Sequence, residues 1–437
     1  MSSTSLRLFL VAAVLAFSAR SSPGQESPRT LRDVLAAVER DNSTLVAARL
    51  DADALAFRRA QVSALPDPTA GVTYQPVPLL TARGSQRTQW RVEQMIPYPG
   101  KLRLQGEVAD LSADVTRHEA DVLAADLFLE AKEAYYDLYH AQRLTELVLA
   151  FRDDLRAFEE AATSRYEVGQ GAQQAVLQAQ VEKNRMAQQL VDLEVRRRSA
   201  AAKLARLTNQ PGSASHFETT ELVAPELPEV PYDALVDLSV RERSEMAALE
   251  AAAVRAEAET ELSRKQLLPD FGVSLTYFDI ARADALPMGG GRDALAVGVS
   301  VKLPLQRGSK RARIAESEVR SRQIDARRQA LLAEIETRVD DLLYALQQEQ
   351  RTLDLYDRTL LPQADATVEA TLSAYTTGRT DFLNLLDAER TMFSLRTGRA
   401  DALIRYLKAA VRLERALGIT SLDDLSDLIG TQNARME

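Results

Sequence analysis

Four stretches of this chain alternate apolar with small or polar residues at a period of two. Phe271, Val273, Leu275 and Tyr277 fall on one face, with Gly272, Ser274 and Thr276 on the other. Leu295, Val297, Val299, Val301 and Leu303 likewise oppose Ala296, Gly298, Ser300 and Lys302. Earlier, Ala70, Val72 and Tyr74 oppose Thr69, Gly71, Thr73 and Gln75; Trp90 and Val92 oppose Gln89, Arg91 and Glu93, and Ile96 closes the run. Period two predicts β-strands. Runs of about 9–11 residues with one apolar face suit a membrane barrel, and equally a half-buried hairpin in a soluble sheet.

The strands come in two copies. Leu65-Pro-Asp lines up with Leu268-Pro-Asp, and the match runs without a gap through Thr73/Thr276 and Tyr74/Tyr277 at a constant offset of 203 positions. Each pair leaves through a proline–glycine turn. Pro66, Asp67, Pro97, Gly100, Pro269, Asp270, Pro304 and Gly308 therefore mark the turns into and out of the strands. An offset near half the chain is a duplicated unit, since solenoid repeats recur every ~20–50 residues.

Outside the strands the period turns helical. Residues 31–64 read as helices broken near Asp41-Asn-Ser43, with Ser43 as the N-cap of the second. From 101 to about 166 Gly106 is the one interruption. There Leu144, Val148, Phe151, Leu155, Phe158 and Ala162 step alternately by four and three, the spacing of a coiled-coil seam. Tyr166-Glu-Val168-Gly169-Gln-Gly171 is a turn. A second helix, to about 207, returns antiparallel with Val176, Ala179, Leu190 and Leu193 on its inner face. After a segment holding Pro211, Pro225, Pro228 and Pro231 the unit begins again. A helix over 233–266 precedes the second strand pair, a helix over 309–377 with the internal Pro362 follows it, and 381–417 returns. Tyr166/Tyr375 and Gly169/Gly378 match at an offset of 209. Residues 309–377 correspond to roughly 100 Å of helix, against an average of about 10–14 residues in globular proteins. They read as struts.

The expected division is a signal peptide at 1–25, helices at 26–64, strands at 65–100, a helical hairpin at 101–210 and a linker at 211–232. Then come a helix at 233–267, strands at 268–308, a second hairpin at 309–418 and a tail at 419–437. The signal reading rests on Arg7 ahead of an apolar run at 8–17 and small residues after it, with cleavage between Ser18 and Gln25. No other stretch approaches the 18 apolar residues of a spanning helix.

Composition narrows the function. The chain has 437 residues, a net charge of −9 and no cysteine. The charge argues against a nucleic-acid surface. The absence of thiols excludes disulfides, thiolate metal sites, a Cys nucleophile and acylation of the mature end, and suits an oxidising compartment. His118, His140 and His216 lack metal-ligand spacing. Gly289-Gly-Gly291 and Gly308-Ser-Lys310 each lack part of a phosphate-binding loop. Asp153-Asp154 and Asp340-Asp341 read as solvated helix faces. No nucleophile–base constellation, cofactor motif or metal site stands out, so the chain does not read as an enzyme.

Four strands cannot close a barrel, and an open edge in lipid leaves backbone groups unpaired at several kcal/mol each. Strands in lipid therefore require an oligomer, with the long helices continuing from the strand ends.

The sequence resembles the outer-membrane efflux proteins, the TolC-type exit ducts. The resemblance rests on the duplicated Leu-Pro-Asp turns, the exit Ile96-Pro-Tyr-Pro-Gly-Lys101, the tips Tyr166-x-x-Gly169 and Tyr375-x-x-Gly378, and the run Phe382-Leu-Asn-Leu-Leu-Asp-Ala-Glu389. It implies a mainly α fold with a membrane β part. A homotrimer would form a 12-stranded β-barrel in outer-membrane lipid, continued by an α-helical barrel. The implied partners are a periplasmic adaptor (membrane fusion) protein and an inner-membrane transporter of RND or ABC type. The implied adaptor-docking tips are Tyr166, Val168, Gly169, Gly171, Thr377 and Gly378. By the same resemblance Asp387, Asn384, Tyr375 and Arg379 are periplasmic gate residues. Ala175 and Thr380 stand where better-known members carry an aspartate and an arginine, so a weaker latch is expected. The Pro-Gly-Lys exit looks like that of metal-cation efflux members. The readings kept beside a tripartite efflux channel are the exit duct of a type I secretion system and an exported, elongated coiled-coil protein with a structural or adhesive role.

Overall fold

The computed structural model describes residues 30–169, 171–211, 217, 219–225, 230–282 and 290–425. The signal segment, His216 and Gly289 lie outside the described residues. The helices are α1 (Leu31–Asp41), α2 (Ser43–Ala56), α3 (Arg58–Val62), α4 (Lys101–Glu167), α5 (Gln173–Leu207), α6 (Tyr232–Glu242), α7 (Ser244–Lys265), α8 (Arg307–Leu355), α9 (Leu361–Thr376) and α10 (Phe382–Leu417). The strands are β1 (Thr69–Thr81), β2 (Gly84–Ile96), β3 (Asp270–Ala281) and β4 (Ala294–Lys302). The chain divides into two units, one containing the sheet and the other containing both hairpin tips.

In the first unit the four strands form one antiparallel sheet in the order β1-β2-β3-β4, leaving β1 and β4 as edges. The register puts apolar residues in rows across the sheet. Val72 faces Trp90, Trp90 faces Tyr277 and Tyr277 faces Leu295; one step along, Ala70, Val92, Leu275 and Val297 form the next row. These side chains are all exposed, and Val297 and Val299 keep about three quarters of their surface (73% and 75%). The other face carries Glu93, Ser274, Thr276 and Ser300, with Ser274 and Thr276 buried. A sheet with its greasy side exposed and its polar side covered over β3 is inside out for water. It fits lipid.

Three helix boundaries differ from the sequence reading. Asn42, not Ser43, caps α2, because Asn42 is extended and its Oδ1 accepts from the N–H groups of Thr44 and Leu45 at 3.0 and 3.1 Å. The expected helix over 233–266 breaks into α6 and α7 at Arg243, which is extended (ψ 123°). There Gly418 (φ +75°) packs so closely that a Cβ would lie 2.7 Å from the Arg243 nitrogen. Arg243, itself buried, pairs with Glu245 at 3.1 Å. Glu245 also takes Arg415 at 2.5 Å, and Arg415 reaches Asp126 at 2.8 Å. The expected helix over 309–377 is interrupted by a π-turn, Tyr356–Leu360. Pro362 follows it and has no N–H to give the preceding turn, so the wider turn absorbs the missing bond.

The second unit is a coiled coil. Leu144, Val148, Phe151, Leu155 and Ala162 of α4 are buried with Ala179, Met186 and Leu193 of α5 and Phe382, Leu386 and Ala400 of α10. Phe158, Val176 and Leu190 pack half-buried against them. The alternating three-and-four spacing thus marks a real seam.

Candidate functional site: hairpin tips and strand turns

The two tips are built alike. Each helix ends in a left-handed glycine, Gly169 (φ +71°) and Gly378 (φ +72°). Each glycine N–H donates to the tyrosine carbonyl three residues back, Tyr166 at 2.9 Å and Tyr375 at 3.0 Å. A left-handed residue here satisfies carbonyls that the helix end would orphan, and glycine adopts it without a Cβ penalty. The side chains then diverge. Tyr166 and Val168 are exposed, at 46% and 68%, whereas Tyr375 is half-buried.

Tyr375 joins the two hairpins. The Arg165 guanidinium lies 4.8 Å from its ring centroid. Its other side meets Phe382 edge-on at 6.1 Å, and Phe382 meets Phe158 edge-on at 6.4 Å. Higher on the seam Phe151 stacks on Phe393 at 4.6 Å. Ala175 is half-buried beside this cluster.

The other residues expected at a gate stand apart from it. Asp381 caps α10, accepting from the Asn384 N–H at 3.0 Å. The Asn384 amide donates to Thr380 Oγ1 at 2.9 Å, and the Arg379 Nε donates to Thr377 Oγ1 at 3.0 Å. Both bonds stay local. Asn384 and Asp387 are exposed about one turn apart, and no ion pair reaches Asp387 among the described residues. The structure therefore brings Tyr375 into the cross-hairpin cluster but not Arg379, Asn384 or Asp387.

Sequence reasoning missed three features. Arg165 carries half of the Tyr375 contact. Glu182, buried in α5, takes Arg185 at 3.0 Å and is also bound by Arg390 of α10. Its sequence signal is a carboxylate three positions after Ala179 on the seam. Asp154 and Glu389 form an acidic pair. Burial is the main force pushing both carboxyls above the usual range; for Glu389 the Asp154 charge adds to it, while Arg396 pulls both the other way.

The strand turns are also tied together. Asp270, at the start of β3, accepts from the Tyr98 N–H at 2.9 Å and from Lys101 Nζ at 2.7 Å. Lys101 is buried and donates as well to the Leu268 carbonyl at 2.8 Å. Gly100 (φ +87°) makes that turn. Asp67, the counterpart of Asp270, is exposed and unpaired among the described residues.

An edge-open sheet with an apolar outer face, joined in one chain to paired coiled-coil hairpins, is the architecture of TolC-type channels. Residues 235–419 match the outer membrane efflux protein family. It is 23% identical over 402 residues to the cobalt-zinc-cadmium resistance protein CzcC of Cupriavidus metallidurans, covering 90% of each chain. Its fold matches the CusC channel with a TM-score of 0.73 at 16% identity, over 91% of this chain and 96% of that one. It matches the open-state MtrE channel of Neisseria gonorrhoeae with a TM-score of 0.70 at 18% identity, over 89% of each. Proteins of this family are non-enzymatic, trimeric outer-membrane channels with a large periplasmic helical part. They work with an adaptor and an inner-membrane pump.

Proposed function

We propose that this channel is the passive exit duct of a metal-cation efflux system. The observation that carries the reading is the CzcC likeness, which extends over 90% of both chains. The net charge of −9 supports it, since an acidic protein attracts cations toward its openings. On this reading the signal at 1–25 is removed on export, and the adaptor docks on the tips around Tyr166, Val168, Gly169, Gly171, Thr377 and Gly378. The pump is an inner-membrane transporter of the RND or ABC type. Asp387 and Asn384 narrow the periplasmic end, held at rest by the Tyr375 cluster.

The test is growth of a strain deleted for this chain on graded cobalt, zinc and cadmium, and separately on a panel of antibiotics. Sensitivity to the metals that the gene in trans reverses is expected. Sensitivity confined to antibiotics would overturn the cargo and keep the channel. Loss of a secreted protein with neither sensitivity would point to type I secretion.

A further inference from the structure

The duplicated unit is not duplicated in charge. Residues 307–328, the first 22 of α8, carry eight Lys and Arg against three Asp and Glu, a net +5. Residues 101–122, the first 22 of α4, carry three against five, a net −2. Both helices leave the sheet through a proline–glycine turn, so the fold itself does not require the difference. Nor does the helix. Arg307, Lys310 and Arg311 stand in the opening turns of α8, where the helix dipole disfavours cations, and no acidic residue occupies the first turn to offset them.

The partners differ in the same way. At α4, Lys101 is held by Asp270 and Arg103 by Glu107, each at 2.7 Å. At α8 the nearest acids are engaged farther along, Glu316 with Arg320 at 2.7 Å and Glu318 with Arg264 at 2.9 Å. No ion pair reaches Arg307, Lys310, Arg311 or Arg313 among the described residues, and all but the half-buried Lys310 are exposed.

Their place in the fold indicates what they meet. Val297, Val299, Val301, Leu303 and Leu305 make one exposed apolar row that runs along β4 and past its end, with Leu305 still 83% exposed. The Leu305 N–H donates to the Leu303 carbonyl at 3.0 Å, and the Arg307 N–H donates to the Leu305 carbonyl at 2.9 Å. The chain thus passes from exposed leucine to exposed arginine in two residues, at most about 7 Å of chain. That matches a headgroup layer about 5–7 Å deep on one side of a bilayer.

We propose that the start of α8 is a basic collar that binds the phosphates of anionic phospholipids, on the side of the bilayer from which the helices leave. This rests on the membrane reading of the sheet and is independent of the cargo. Arg307 and Arg311 bring planar forks that fit phosphate oxygens two at a time, and Lys310 adds a point charge. A free phosphate offers the same oxygens but lacks the acyl chains that the Leu303 and Leu305 row would receive. The lipid therefore uses both features, and the free ion only one.

The test uses the full-length channel extracted from outer membranes in mild detergent. It is titrated with phosphatidylglycerol and with zwitterionic phosphatidylethanolamine, and bound lipid is counted by native mass spectrometry. The parent is expected to retain phosphatidylglycerol in preference. Arg307→Gln, Lys310→Gln and Arg311→Gln combined should lower that preference by about fivefold for each charge removed. R307K/R311K should keep most of it. Arg103→Gln, which takes the place of Arg311 when Gly100 is set on Gly308, should leave it unchanged. Equal retention of the two lipids by the parent, or an undiminished preference in the triple variant, would overturn the collar. Displacement of the lipid by inorganic phosphate at equal concentration would overturn the lipid in favour of a free-anion site. An unchanged lipid preference with a shifted reversal potential would put these cations on the conduction path and also overturn it. A parent that carbonate strips from outer membranes would instead overturn the membrane reading beneath the proposal.

Discussion

The Arg165 guanidinium sits over the ring of Tyr375, 4.8 Å from its centroid, and so links the end of α4 to the end of α9. A cation over an aromatic ring contributes about 0.5–2 kcal/mol, more as the contact is desolvated, and each edge-on aromatic pair about 0.5–1.5 kcal/mol beyond its buried area. Tyr375 makes one of each. Tyr375→Ala should therefore loosen the tip more than Arg165→Ala, and Tyr375→Phe should leave it nearly intact. Single-channel conductance of the purified trimer in a planar bilayer checks the order. Equal conductance in all three variants would remove Tyr375 from any latch.

Glu182 is the second tie between hairpins, reaching from α5 to Arg390 of α10 while also holding Arg185. Removing one partner of a buried pair leaves the other uncompensated, which costs more than removing both. Glu182→Ala should lower the melting temperature of the extracted trimer. Arg390→Ala added to it should cost less than the two single losses combined, with a coupling of about 0.5–3 kcal/mol. Additive losses would mean the contact contributes nothing of its own.

Much of this was legible because period and repeat are direct imprints of geometry. The seam from Leu144 to Ala162 is visible as alternating steps of three and four, and the strand faces as strict alternation. The matched tyrosine–glycine tips are visible because a left-handed turn restricts the residue that forms it. What stayed hidden depends on contacts distant in sequence. Nothing near Arg243 announces a break, since its cause is Gly418 packing on it from the far end of the chain. Arg165 and Glu182 look like ordinary helix charges until Tyr375 and Arg390 arrive more than 200 positions later. The single Pro362 was visible, but its consequence was a π-turn within a continuing helix.

Acid should act on the two units in opposite directions. Burial pushes the Glu245 carboxyl up, but hydrogen bonds from Arg243 and Arg415 more than offset it and hold the group at about 2, against 4.5 when free. Its stabilisation is therefore full above pH 4.5 and is lost as pH falls toward 2. Glu245→Gln should flatten the acid limb of a melting-temperature profile over that interval. The Glu389 carboxyl is raised, chiefly by burial, so its charged form is the disfavoured one in the fold. Its contribution is best at low pH and declines as pH rises through the free value toward the raised one. Glu389→Gln should then stabilise the trimer at pH 7 and make no difference at pH 4. A variant that is destabilised at pH 7 would show that Glu389 needs its charge.

Asp387 tests the proposed gate. Its carboxylate is exposed, and no ion pair within the described chain neutralises it. An unpaired charge held on a rigid helix projects its field over about 8–10 Å at ordinary ionic strength, which matters at a constriction and nowhere else. If three copies converge at the periplasmic end, Asp387→Asn should weaken the preference for cations over anions. Asp387→Ala should also raise conductance by removing bulk. Both effects should shrink in high salt, as screening removes what the carboxylate supplied. Asn384→Asp, which adds a charge about one turn away, should sharpen cation selectivity. Reversal potentials under a salt gradient measure all three variants. Potentials that match the parent in every one would leave Asp387 as a solvated surface charge.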